Sequence, residues 1–360
     1  MGALIVLKLL VEGNFAGWHI PRQRMPDYRV SISPMEPNMK TIPLICIAAC
    51  WSLLVTLTTP LAWAAYPEKP VKLVVPFPPG GASDTAARSL AQVLGKSLGQ
   101  VVVVENRPGA SGAIAAQSVL TAQPDGYTLL WSSASMVAIP QLQKAAPFRS
   151  FAEFAPVSMV GRLTFCMFVP NSVPATSVAE FIKHARANPG KLSYATGSLG
   201  EYMVTTEFLK AAGIDLVQVP YKGGAQAMPD LITGRVQLNF GPYAGGYPHV
   251  KDGKLRMLAM VGTARSPVAP DLPTLAELGV MNVSSPTWQA VFAPPGTPRA
   301  VVDRLARDIA AALNDSTLRE QFQRQAVQPE ATTPEGLAKV VLEDTETWKR
   351  FIRDHNIPQE

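Results

Sequence analysis

Apolar and polar positions follow one another along this chain in blocks that change period. "VKLVVPF" (71–77) is a continuous apolar run of buried-strand type, and "SDTAARSLAQVLGKSLG" after it carries Ala87, Leu90, Ala91 and Leu94 at helical spacing. "VVVVEN" (101–106), "GAIAAQSVLTAQ" and "YTLLWSS" (127–133) continue the strand–helix–strand order. After Phe151 the alternation restarts with "TFCMFVP", "SVAEFIKHARAN", "LSYAT" and "EYMVTTEFLKAAG". It runs on through "LVQVPY", "AQAMPDLITG", "VQLNFG" and "LRMLAMVG". Strands alternating with helices predict an α/β chain whose mostly parallel sheets are flanked by helices.

"TWQAVFAPPGTP" breaks the series with a strand and a proline turn, and three helical stretches close the chain: Arg299–Asn314, Ser316–Gln325 and Pro334–His355. A terminal run of helices predicts packing back onto the first domain. The expected organisation is a discontinuous domain from 66–162 and 290–360, a second domain from 163–289, and a ligand cleft between them. The 33 prolines gather at strand ends, which suits loops lining a cleft.

Composition narrows the class. Of 360 residues, 47% are hydrophobic and 16% charged, as in a well-buried globular protein. The formal net charge is +5, and no dense Lys/Arg tract is present, so no nucleic-acid partner is expected.

"MKTIPLICIAACWSLLVTLTTPLAWAAYPEKP" reads as a secretory signal, with Lys40 as the positive region, an apolar stretch from Ile42 to Leu57, and Ala62 and Ala64 as small residues before a cut after Ala64. That predicts a periplasmic protein. An uncleaved membrane anchor and a lipidated Cys50 at "IAAC" are the alternatives. Residues 1–38 precede a complete signal beginning at Met39 and read as an upstream extension from a misassigned start. Cleavage at Ala64 leaves Cys166 as the one cysteine, so stability must come from the core.

In open α/β sheets, ligands bind beyond the carboxyl ends of the strands. "PFPPGGASD" follows the first strand, "ATGSLG" (195–200) follows "LSY", and "YKGGAQ" (221–226) follows "LVQVP". Gly80 and Gly81 can take φ > 0 and let backbone N–H groups approach a ligand. Ser83 or Asp84 reads as the N-cap of the next helix. Helix starts of this kind present unpaired donors and partial positive charge, a seat for an anion. Each loop alone can equally be a plain tight turn, and "ENRPGASGA" (105–113) reads as structural. Trp131 and Trp288 read as core.

No phosphate-binding or dinucleotide-binding glycine motif and no G-x-S-x-G elbow is present. His184 and His355 read as surface residues, and "YPHVKDGK" around His249 reads as a loop. No His/Cys/Asp cluster has metal-ligand spacing. No catalytic residue, metal site or cofactor is therefore expected.

From about Tyr66 onward the chain resembles the periplasmic solute receptors of tripartite tricarboxylate transporters, the Bug receptors. The landmarks are "YPEKPVKLVVPFPPGGASDTAAR", "VVVVENRPGASGAIAA", "PDGYTLLWSS", "NPGKLSYATGSLG", "VPYKGGAQAMPDLITGRVQ" and "FAPPGTP", in this order. The resemblance implies a two-domain, hinged periplasmic-binding-protein fold of type II. It implies capture of a small carboxylated solute without catalysis, and delivery to the large and small membrane subunits of an ion-driven permease. The receptor itself is expected to be a monomer.

By the same resemblance, a ligand carboxylate is held by backbone and hydroxyl donors, often through water. The matching first-domain positions are Phe77, Pro79, Gly80, Gly81, Ser83 and Asp84, then Ser132, Ser133 and Ala134. In the second domain they are Thr196, Gly197 and Ser198, then Tyr221, Lys222, Gly223 and Gly224. Where family members often carry a His, this chain runs "LGEYMV". Glu201 and Tyr202 put acidic and phenolic groups near the presumed site, where Glu201 would repel a second carboxylate or pair with an amino group; a solvent-facing helix position is the other reading of Glu201. Dicarboxylates, tricarboxylates, amino acids, aromatic acids and amides stay open as ligands, and a periplasmic sensor or an α/β enzyme are the alternative functions.

Overall fold

The computed structural model describes residues 66–281 and 287–359. The signal segment, Cys50, Ala64 and the upstream extension lie outside them.

The first part of the chain forms β1 (Val71–Val75), α1 (Ala82–Leu98), β2 (Val102–Asn106), α2 (Ala113–Leu120), β3 (Thr128–Ser133), the short α3 (Ile139–Leu142) and β4 (Ala155–Leu163). Next come β5 (Phe165–Pro170), α4 (Val178–Arg186), β6 (Ser193–Thr196), α5 (Leu199–Ala212), β7 (Val217–Pro220) and α6 (Gly224–Ile232). They are followed by β8 (Leu238–Pro242), α7 (Tyr243–Lys251) and β9 (Leu255–Met260). The chain closes with β10 (Trp288–Ala293), α8 (Arg299–Ala312), α9 (Ser316–Arg324), β11 (Val327–Pro329) and α10 (Pro334–Asp354). One sheet has the order β11–β4–β10–β3–β1–β2 and the other β7–β6–β8–β5–β9. Each sheet with its helices makes a lobe.

The sheets are mixed rather than mostly parallel, and the crossings between lobes explain why. β1 pairs in parallel with β2 and β3, and β6 with β7 and β8, as successive strand–helix units require. β5 carries the chain into the second lobe and β10 brings it back. Each enters from the cleft end and runs away from it, so β10 is antiparallel to β3 and β4, and β5 to β8 and β9. β4 and β11 lie in segments that the apolar pattern did not single out. β4 supplies the first crossing, with only Thr164 between it and β5. β10 joins the first sheet from Trp288, two residues before the expected boundary at 290.

Alternation across the first sheet separates two cores. Val71, Leu73, Val75, Leu129 and Trp131 face one side with Leu90 and Leu94 of α1 and Leu305 and Ile309 of α8. Val74, Leu130, Ala290 and Phe292 face the other with Leu337, Val341 and Trp348 of α10. The terminal helices thus cover both faces of the first sheet. Trp131 and Trp288 are fully buried.

Two local expectations change. The N-cap of α1 is Gly81, in extended conformation, and Ser83 and Asp84 stand in the first helical turn. The segment around His249 is not a loop but part of α7, despite Gly245, Gly246 and Pro248; its low helix propensity hid it.

Candidate functional site

A cavity of about 300 Å³ lies between the lobes, at the strand ends facing the crossings. Four helices begin in its wall: α1 from the first lobe, and α5, α6 and α7 from the second. Their first turns hold N–H groups without intrahelical acceptors, together with the positive end of each helix dipole. Serine hydroxyls join them. Ser83 Oγ donates to Gln289 Oε1 at 2.9 Å, Ser133 and Ser135 share a 3.1 Å hydrogen bond, and Ser198 Oγ accepts from the Glu201 N–H at 3.2 Å. Glu201 and His249 are the two ionisable side chains of the lining among the described residues, and no Lys or Arg is part of it.

Ten of the sixteen positions singled out from the sequence line this cavity: Phe77, Gly80, Gly81 and Ser83; Ser133 and Ala134; Gly197 and Ser198; Gly223 and Gly224. The other six serve the turns from outside it. Pro79 and Lys222 are exposed. Ser132 Oγ bonds the Ser133 carbonyl, Thr196 Oγ1 accepts from Gln218 Nε2, and the Tyr221 hydroxyl donates to Asp230. Asp84 is buried and accepts from the Gly80 N–H at 2.9 Å, from Asn106 Nδ2 at 2.8 Å and from Arg88.

The two lobes repeat this last device with opposite electrostatics. Glu201 Oε2 accepts from the Gly197 N–H at 2.6 Å and from Asn239 Nδ2 at 3.3 Å. In both loops a carboxyl group of the first helical turn thus holds the N–H of a glycine four residues earlier, with an asparagine amide alongside. Burial pushes the Asp84 carboxyl up, but the bonds from Arg88, Asn106 and Gly80 outweigh it and bring the group below its ordinary range. Glu201 has no cation beside it among the described residues. It is 3% exposed, and burial pushes it up to about 7 against the pull of Gly197 and Asn239. Glu201 is therefore a wall of the cavity and not a solvent-facing helix position. Tyr202 turns away from the cavity and packs edge-on against Phe351 of α10.

Glycine is needed here for different reasons at different positions. Gly80 has φ +81, whereas Gly81 has an ordinary extended φ of −76. Gly197 is a matter of space: a Cβ there would lie 2.2 Å from the Gly224 nitrogen, because the two second-lobe loops touch backbone to backbone.

Several lining residues were missed. Gly241, Pro242, Ala244, Gly245, Gly246, Pro248 and His249, where β8 runs into α7, follow the same rule of a Gly/Pro-rich turn after an apolar strand, and "FGPYAGGYP" carried that signal. Asn239 and Gln289 are polar residues flanked on both sides by apolar ones in "VQLNFG" and "TWQAVF", a weaker cue. Nothing in the local sequence marked Ser135. His355 is not a surface residue: its side chain is 8% exposed and its Nε2 lies 2.8 Å from Glu207 of α5, joining the C-terminal helix to the second lobe.

Comparison with known proteins places these features. The family model described as "Tripartite tricarboxylate transporter family receptor" matches residues 86–357. Protein BugT of Bordetella pertussis is 32% identical over 320 residues, spanning 88% of this chain and 98% of BugT. The solved periplasmic binding protein BugD superposes with a TM-score of 0.78 at 32% identity, covering 82% of this chain and all of BugD. The R. palustris protein Rpa4515, solved with adipate, superposes with a TM-score of 0.77 at 32% identity, covering 80% of this chain and 97% of its own.

Proposed function

The chain belongs to the tripartite tricarboxylate transporter receptor family, has the two-domain α/β fold of periplasmic binding proteins, and we propose that it captures a small carboxylated solute between its lobes and releases it unaltered. The observation that carries this reading is the ring of four helix starts and serine hydroxyls around a cavity lined, among the described residues, without Lys or Arg. A single charge at a helix end gains ~0.3–2 kcal/mol, whereas micromolar binding needs about −8 kcal/mol. Several turns must therefore share one carboxylate and bury it, which a cavity between two lobes permits. The solved relative with adipate supports a carboxylated ligand.

In this reading the lobes, 66–163 with 288–359 and 165–281, move as rigid bodies about the crossings, and ligand stabilises the closed arrangement. The ten lining positions named above hold the acid, chiefly through peptide N–H groups and hydroxyls. The protein works in the periplasm as a monomer after removal of its signal segment. It delivers the solute to the large and small membrane subunits of a tripartite permease.

A thermal-shift screen of mono-, di- and tricarboxylic acids on the chain from Ala65 tests the proposal. A ligand at 100 times its Kd stabilises by about 2.7 kcal/mol, which raises the melting temperature measurably. An acid that does so supports the reading; a screen in which no carboxylic acid raises the melting temperature overturns it.

A further inference from the structure

Beside its helix starts, the second-lobe wall of the cavity carries two side-chain acceptors. Glu201 uses Oε2 for Gly197 and Asn239, while its Oε1 takes no hydrogen bond from the described residues. That oxygen lies beside the open face of Gly224, where an added Cβ would be 3.1 Å from it. Next to it, Asn239 is 1% exposed and its amide nitrogen donates to the Ala195 carbonyl as well as to Glu201. The amide is thereby fixed, and Asn239 Oδ1 is left buried without a partner. A buried acceptor without a donor is unfavourable unless a bound molecule supplies one. The first-lobe wall offers the start of α1 and, from the Ser133–Ser135 pair, one hydroxyl proton to donate to a carboxylate.

Resting on the capture function proposed above, we infer that the solute is an amino-carboxylate, its carboxylate shared by the helix starts and hydroxyls of the cavity and its protonated amino group on Glu201 and Asn239. An ammonium group supplies donors to both unpaired oxygens and neutralises a carboxyl that has no Lys or Arg near it among the described residues. A dicarboxylate would instead set a second anion against Glu201, with His249 as the one basic side chain in the lining among the described residues. Glu201 thus sets the specificity of the site.

The test is calorimetry on the chain from Ala65 with three matched pairs: 4-aminobutanoate and glutarate, 5-aminopentanoate and adipate, and L-leucine and 4-methylpentanoate. The inference predicts at least tenfold tighter binding of the amino member in one or more pairs, and loss of that preference in Glu201→Gln. Equal or tighter binding of the member without an amino group in every pair overturns it, as does a preference that survives in folded Glu201→Gln. Wild-type selectivity alone decides the matter if the variant does not fold. Should none of the six bind while other carboxylic acids do, the inference falls and the receptor function stands. If no carboxylic acid binds, both fall.

Discussion

Pro78 of the first lobe and Gly223 of the second meet across the mouth of the cavity, so that a Cβ placed on Gly223 would lie 2.7 Å from Pro78 Cδ. Their contact, with Ser135 Cβ 3.7 Å from where a Gly200 Cβ would stand, closes the two lobes over the cavity. Gly223→Val puts its bulk where the rigid proline ring sits, and the softest response is to part the lobes. The variant is expected to melt near the wild-type temperature without ligand but to bind at least tenfold more weakly by calorimetry. Unchanged affinity would show that closure at this point does not contribute to binding.

Gly197 is expected to behave differently. A Cβ at this position meets Gly224 N at 2.2 Å and Gly223 C at 2.3 Å, both backbone atoms of its own lobe. Nothing flexible can yield, so Gly197→Ala should lower the stability of the protein itself by about 2 kcal/mol, within the range of overpacked sites. Urea denaturation with and without ligand checks this, and an unchanged midpoint would contradict the backbone contact.

Glu201 gives the fold a pH dependence of definite sign. Its carboxyl ionises at about 7 in the folded protein against 4.5 for an ordinary glutamate. Between these values the folded form keeps a proton that the unfolded chain has lost, so stability declines as pH rises from about 4.5 through about 7. At about 1.4 kcal/mol per pH unit, the decline amounts to roughly 3 kcal/mol. Glu201→Gln lacks this titration and should gain on the wild type between pH 5 and pH 8 in ligand-free thermal melts. A constant difference across that range would mean that Glu201 ionises normally.

Gln289 ties three elements together at the cleft edge. Its Oε1 accepts from Ser83 Oγ of α1 at 2.9 Å and from Trp131 Nε1 of β3 at 2.7 Å, and it is 2% exposed on β10. Gln289→Leu strands both donors in a buried place and should cost about 2 kcal/mol, at the level of lost buried hydrogen bonds. Ser83 would also lose its fixed position, so affinity should fall as well. Chemical denaturation and calorimetry on the same variant read the two effects separately.

The parts of this molecule that were legible in the sequence are those where one residue type serves one local need. Apolar runs ending in Gly and Pro located β1, β6 and β7 and the turns after them, because a strand end, a helix start and a tight turn are all local requirements. What stayed hidden depends on residues far apart in the chain. The antiparallel placement of β5 and β10 follows from where the chain crosses between lobes, and Gln289 acts on Ser83 and Trp131 at long range. Glu201 looked solvent-facing because its neighbours Gly224 and Asn239 enter from other elements, while α7 was obscured by its own glycines and proline.

A crystal structure of the chain from Ala65 with a tight-binding acid from the screen tests the central claim most directly. The account predicts intact acid in the cavity between the lobes, its carboxylate within hydrogen-bonding distance, directly or through water, of the peptide nitrogens at Gly80 to Ser83 and the hydroxyl of Ser133 or Ser135. Acid bound outside that cavity, or density for a chemically altered product within it, would contradict the account.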